Sequence, residues 1–119
     1  MKSINLKEKF KLFNDYWSPK IIADLNDHQV KCAKFKGEFV WHQHDVDELF
    51  LVIKGSLEVL FENMPSQHVQ EGEILVIPRK IRHCPVASKE AHVLIIEPSN
   101  VSNTGEIESE YTVKKLPRI

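Results

Sequence analysis

GEFVWHQHDVDELFLVIKG, residues 37–55, decides how the rest of the chain is read. Within it His42 and His44 stand two residues apart, Glu48 follows, and Gly55 closes the segment. On a strand, side chains alternate between faces, so both imidazoles project to one side while Trp41 and Gln43 project to the other. Asp45-Val46-Asp47 lets the chain reverse, and ELFLVI then reads as the returning strand with Glu48 at its near end. Two imidazoles and a carboxylate converging at one end of a hairpin form a partial ligand set for a divalent metal. His-x-His alone also fits an incidental pair on a surface strand.

A second stretch supplies a further donor. GEILVIP, residues 72–78, reads as a buried strand ending in proline, and after a short turn comes His83. With these residues the sequence resembles a small single-domain cupin, of the group likened to mannose-6-phosphate isomerases. Gly37, His42, His44, Glu48 and Gly55 match the first motif of that family, with four residues before His42 where the usual pattern has five. Gly72, Pro78 and His83 match the second, but Lys80 stands in place of a glycine and Ala87 in place of an asparagine. The resemblance implies a jelly-roll β-barrel whose metal ligands are His42, His44, Glu48 and His83.

The 119 residues suffice for one domain with a core of its own, residues 1–119, needing no disulfide or structural metal. A formal net charge of −1 gives no electrostatic reason to expect nucleic acid. MKSINLKEKF has no apolar core of signal-peptide type, and no apolar run approaches membrane-spanning length, so the expected setting is cytoplasmic, without a membrane. Cys32 and Cys84 are too few and too isolated to be a disulfide framework.

Residues 1–18 form an N-terminal lid. Asn5 and Glu8 resemble a capping box, and Leu6, Phe10, Phe13 and Trp17 recur at helical spacing, which predicts a helix over 5–14. Residues 19–97 form the barrel. Strands are expected at 20–25, 28–36, 38–44, 48–53, 56–62, 67–70, 73–78, 81–86 and 91–97, an all-β pattern with regular turn signals. In the tail, residues 98–119, Tyr111-Thr-Val113 reads as one last strand.

Three imidazoles and one carboxylate leave two open positions on a six-coordinate ion, for water, a bidentate substrate, or substrate and dioxygen. Such mixed ligation suits one divalent transition metal per chain: Fe, Mn, Ni, Co, Cu or Zn. Val40, Phe50, Val52 and Pro85, with Cys32, share the ligands' parity and are expected to line an apolar pocket for a small molecule. Cys84 reads as a small buried apolar residue and His28 and His68 as surface residues. His92 and Glu97 fall near the end of the barrel, where either suits a surface position. Arg79, Lys80 and Arg82 belong to a solvated loop that could meet an anionic substrate at the barrel mouth. Asp45 and Asp47 hold the turn and can orient an imidazole. The family likeness favours a metal-dependent isomerase acting on a sugar-like or keto/hydroxy-acid substrate. An Fe(II) dioxygenase, or a non-catalytic module for a small ligand or metal, are the alternatives. The outward set Trp41, Leu49, Leu51 and Ile53 needs cover, and the likeness favours a homodimer for part of it.

Overall fold

The apolar/polar alternation of this chain resolves into seven strands and one short helix. The computed structural model describes all 119 residues. Helix α1 spans Leu6–Phe10, and the strands are β1 (Lys20–Leu25), β2 (His28–Glu38), β3 (Glu48–Lys54), β4 (Ser56–Phe61), β5 (Gln67–Gln70), β6 (Ile74–Ile77) and β7 (His83–Pro98). One run of antiparallel neighbours is β1-β2-β7-β3-β6, and β4 joins β5 to the near half of β7. The two long strands carry the architecture. β7 pairs through Val86 to His83 with β4, and through Ile96 to His92 with β3, while β2 accompanies it along most of its length. A register shift between Phe35 and Gly37 bends β2 as it passes from one half to the other. The result is an all-β jelly-roll barrel with a short helix on its outside.

Inward positions form the main core, including Phe35, Phe50, Val52, Leu57, Val59, Val93 and Ile95. A smaller outer cluster joins Phe10 and Phe13 to Cys32 and Leu94, with Leu51 and Ile53 packed against it. The N-terminal segment therefore covers part of the outward apolar face. Ile74 and Val76, on the edge strand β6, stay 60% and 49% exposed. No helix is long and apolar enough to cross a membrane.

Several local expectations change. The helix stops at Phe10, with Asn5 Oδ1 accepting from the Glu8 amide as its cap. Trp17 is thus not the last rung of a helical stripe. It sits at φ 58° and packs in the main core, its indole N–H donating to the Lys36 carbonyl. Residues 38–44 do not form a strand. The Phe39 amide donates to Pro85 O, but Pro85 has no N–H to return, so the ladder ends there. Only an isolated bridge, His42 with His83, follows. Residues 81–86 and 91–97, expected as two strands, are one: β7 stays extended through the exposed Ser88-Lys89-Glu90. The tail makes turns at Tyr111 rather than a strand, then returns to its own β1. There Arg118 clasps Asp24 through two hydrogen bonds of 2.9 Å. Lys80 adopts φ 64°, the left-handed conformation that a glycine would take without strain, and its amide donates to His44 O at 2.7 Å.

Candidate metal centre

The turn around Lys80 and the short His42–His83 bridge act together to bring four side chains to one point. His42 N donates to His83 O at 3.0 Å and His83 N to His42 O at 2.9 Å, fixing the two imidazole-bearing backbones against each other. β3 begins at Glu48, opposite Ile77 on β6. One donor atom from each of His42, His44, Glu48 and His83 lies within 4.8 Å of the others, and all four residues are buried. The Glu48 carboxylate is 3.6 Å from His44 Nε2 and 3.7 Å from His83 Nε2, beyond hydrogen-bond range.

The rings are aimed by backbone carbonyls. His42 Nδ1 lies 2.9 Å from Val40 O, and His83 Nδ1 lies 2.7 Å from Ile81 O. A carbonyl only accepts, so each Nδ1 carries the proton and each Nε2 keeps a lone pair. Asp45 and Asp47, expected as orienting groups, do not do this. Asp47 accepts from the Arg79 amide and ties the two loops together. Both nitrogens of His44, Oε1 of Glu48 and Nε2 of His83 are buried without a partner. Buried polar atoms are rarely left unpaired, so the donor set fits a divalent cation bound among them. Burial lowers His42 to about 4 and His44 to about 3, lowers His83 as well, and raises Glu48. The imidazoles are held neutral, the form that ligates.

Beside this cluster is a cavity of about 20 Å³. That is room for about one water molecule. Its walls are Trp17, Phe35, Phe39, Phe50, Pro85 and Ile95, with His42, Glu48, Glu97 and Asn103 as polar members and Pro19 at the side. Of the residues expected to line a pocket, Phe50 and Pro85 do so. Val52 is packed in the main core, Cys32 faces the outer cluster, and Val40 contributes its carbonyl to His42. Trp17 stacks on Phe35 and Phe39 at 4.4 and 4.7 Å, so the walls are flat.

Glu97, for which the sequence suited a surface position, instead lines this cavity, and Lys31 holds it from behind. Glu97 is 3% exposed, and its Oε1 accepts from Lys31 Nζ at 2.8 Å. Burial and the neighbouring Glu48 push the Glu97 carboxyl well up. The sequence did hold a signal: Lys31 shares parity with the inward Ala33 and Phe35, where a charge demands a partner. Arg79, Lys80 and Arg82 stay exposed, and Arg82 pairs with Glu62 and Glu106. His92 stacks on Phe10, His28 and His68 pair with exposed or half-exposed acids, and burial pushes the Cys84 thiol up to about 11.

The tail closes over the cluster. Glu106 accepts from the Gln43 amide at 2.7 Å, and at Gly105 a Cβ would lie 2.1 Å from Gln43 O and 3.2 Å from the His42 ring. Only glycine permits that approach.

Residues 33–97 match the family model described as "Cupin domain". The uncharacterized Bacillus subtilis (strain 168) protein YdbB is 36% identical over 88 residues, 64% of this chain and 77% of that protein. The crystal structure of a cupin-2 domain containing protein from Shewanella frigidimarina is 48% identical, covers 80% of this chain and 93% of its own, and superposes with a TM-score of 0.77. Hydroquinone 1,2-dioxygenase from Sphingomonas sp. TTNP3, solved with 4-hydroxybenzoate bound, shares the fold at 20% identity and a TM-score of 0.73, over 83% of this chain and 32% of its own.

The buried imidazoles set the acid limit of metal binding. Exposed histidines would give up a metal as pH falls through about 6.5, toward about pH 5. Here the lowered values move imidazole protonation to about 4 and below for His42 and His44. Glu48, raised above its ordinary value, takes up its proton before either of those two imidazoles. Metal affinity measured by competition should therefore fall with a slope of about one proton or less between pH 7 and about pH 5, and steepen below about pH 4. A slope of two or three protons centred near 6.5 would contradict burial of the ligands.

Proposed function

This chain belongs to the cupin domain family, and we propose that it is a metal-dependent enzyme of dioxygenase type acting on a small, flat, mainly apolar substrate. The observation that carries this is the composition of the cavity. Stacked aromatic walls adjoin two of the four metal-ligand candidates, His42 and Glu48, and the only other polar side chains are Glu97 and Asn103. In this reading His42, His44, Glu48 and His83 hold one divalent transition metal, which would supply Lewis acidity and, with iron, dioxygen chemistry. The protein's own residues fix the imidazoles, exclude water and lay the substrate plane against Trp17 and Phe39.

An isomerase is the second reading, and Glu97 favours it. A buried carboxyl beside the metal position is placed to carry a proton between two carbons of a hydroxyketone. The same cavity offers a sugar phosphate no free cation, because Lys31 is engaged by Glu97 and Arg79, Lys80 and Arg82 lie outside. The two readings separate on one preparation. Iron(II)-loaded protein given catechol or hydroquinone should consume dioxygen on an electrode, and the His83→Ala variant should lose at least tenfold of that rate. If no dioxygen is consumed while dihydroxyacetone exchanges its carbon-bound hydrogen in heavy water, the isomerase reading replaces the first.

A homodimer belongs to the same proposal. Ile74 and Val76 on the β6 edge, beside Leu49 on β3, give an apolar patch outside the cluster that α1 covers. Sedimentation should report a dimer that Ile74→Lys/Val76→Lys converts to monomer. A wild-type chain that sediments as monomer at 50 μM, about the concentration of a working assay, would remove this part.

A further inference from the structure

The register of β7 on its two neighbours sets three charged side chains side by side. Leu49 pairs with Ile96 across β3 and β7, so the next residues along, Glu48 and Glu97, stand opposite each other. Lys31 comes from β2 on the other side of β7, where it is opposite Ile95, and its Nζ donates to Glu97 Oε1 at 2.8 Å. All three are buried: Lys31 is 1% exposed, Glu48 5% and Glu97 3%. Like charges directly opposite on a sheet are destabilising, and more so away from water. Here the two carboxyls are in side-chain hydrogen-bond contact instead. Such a contact needs one hydrogen between them, and no other group donates to Glu48 Oε1 or Glu97 Oε2. Both glutamates line the cavity of about 20 Å³, where a carboxyl that nothing held would have room to turn.

We propose that Glu97, itself fixed by Lys31, is a positioning residue that hydrogen-bonds Glu48 and holds its carboxylate toward the three imidazoles. A carboxylate that ligates a cation only accepts, so Glu97 is the donor. Lys31 takes the other oxygen of Glu97 and thereby directs the donating one at Glu48. Glu97 thus does for Glu48 what the Val40 and Ile81 carbonyls do for His42 and His83: each aims a ligand from behind. Without this hydrogen bond Glu48 keeps its place at the start of β3 but loses its fixed rotamer, so the site keeps its donor and loses its preorganisation. This deepens the reading above and rests on it for the metal.

The test is made with Lys31→Met present, so that residue 97 can be changed without stranding a buried lysine charge. Lys31→Met/Glu97→Gln keeps an amide that donates to Glu48, whereas Lys31→Met/Glu97→Met has nearly the same shape and no donor. Measured against a competing chelator, cobalt(II) should bind the second double variant about tenfold or more weakly than the first. The visible absorption of bound cobalt should match wild type in the first and differ in the second. The metal-free second variant should melt no lower than the first, which separates aiming of a ligand from support of the fold. Equal cobalt affinity and spectrum in the two, or an affinity loss matched by a lower melting temperature, would overturn the proposal. Wild type that takes up no cobalt in excess would overturn it together with the metal reading, whereas wild-type binding with indifferent variants overturns it alone. Should the second variant fail to fold, the ¹³C carboxyl resonance of Glu97 in wild type, assigned by its absence in Glu97→Gln, decides the matter. Zinc must shift it in step with its binding, and a resonance that stays in place would overturn the proposal.

Discussion

Buried donor atoms without partners are the constraint on which this structure turns. Both nitrogens of His44 and Nε2 of His83 are buried without a hydrogen-bond partner, and the Glu48 carboxylate has only the Glu97 carboxyl beside it. Each such atom costs about 1–3 kcal/mol, and together they claim a large part of the roughly 5–15 kcal/mol by which a domain is stable. A fold keeps such a cluster when a ligand offsets the cost. A divalent cation does so at once for one nitrogen of His44, Nε2 of His83 and an oxygen of Glu48.

The barrel is arranged to make that point rigid. β7 is shared by both halves of the sheet and delivers His83 at its first residue, while β3 delivers Glu48 at its own first residue. His42 and His44 come from the irregular segment between β2 and β3, stitched to β7 by the His42–His83 bridge. Further ties hold the loop: Lys80 N to His44 O, Asp47 to the Arg79 amide, and Glu106 to the Gln43 amide. The strained Lys80 backbone has a physical reason in this frame. Its left-handed turn places the amide on His44 O, and the hydrogen bond offsets part of a strain of about 1–2 kcal/mol.

The fold was legible in the sequence because strand periodicity and turn residues are local signals. β1, β3 and β5 stand within a residue of where the alternation puts them. The four donors were legible through motif spacing, which survives the failure of the predicted strand under His42 and His44. What was missed depends on long-range pairing. That β7 runs unbroken through Ser88-Lys89-Glu90 follows from its neighbour β2, not from its own composition. Trp17 reads as part of a helical stripe because Leu6, Phe10 and Phe13 precede it at that spacing, yet the helix has only one turn. The Lys31–Glu97 pair is 66 residues apart in sequence, and only the register of β2 on β7 brings it together.

Metal content decides the account most directly. Untagged protein purified without chelator, then analysed for elements beside His83→Ala, should carry about one divalent transition metal per wild-type chain. The variant should remain folded by circular dichroism and lose most of that metal, because three donors no longer close the site. Wild type that takes up no divalent metal even in excess, or a His83→Ala chain that binds as well as wild type, would contradict the account.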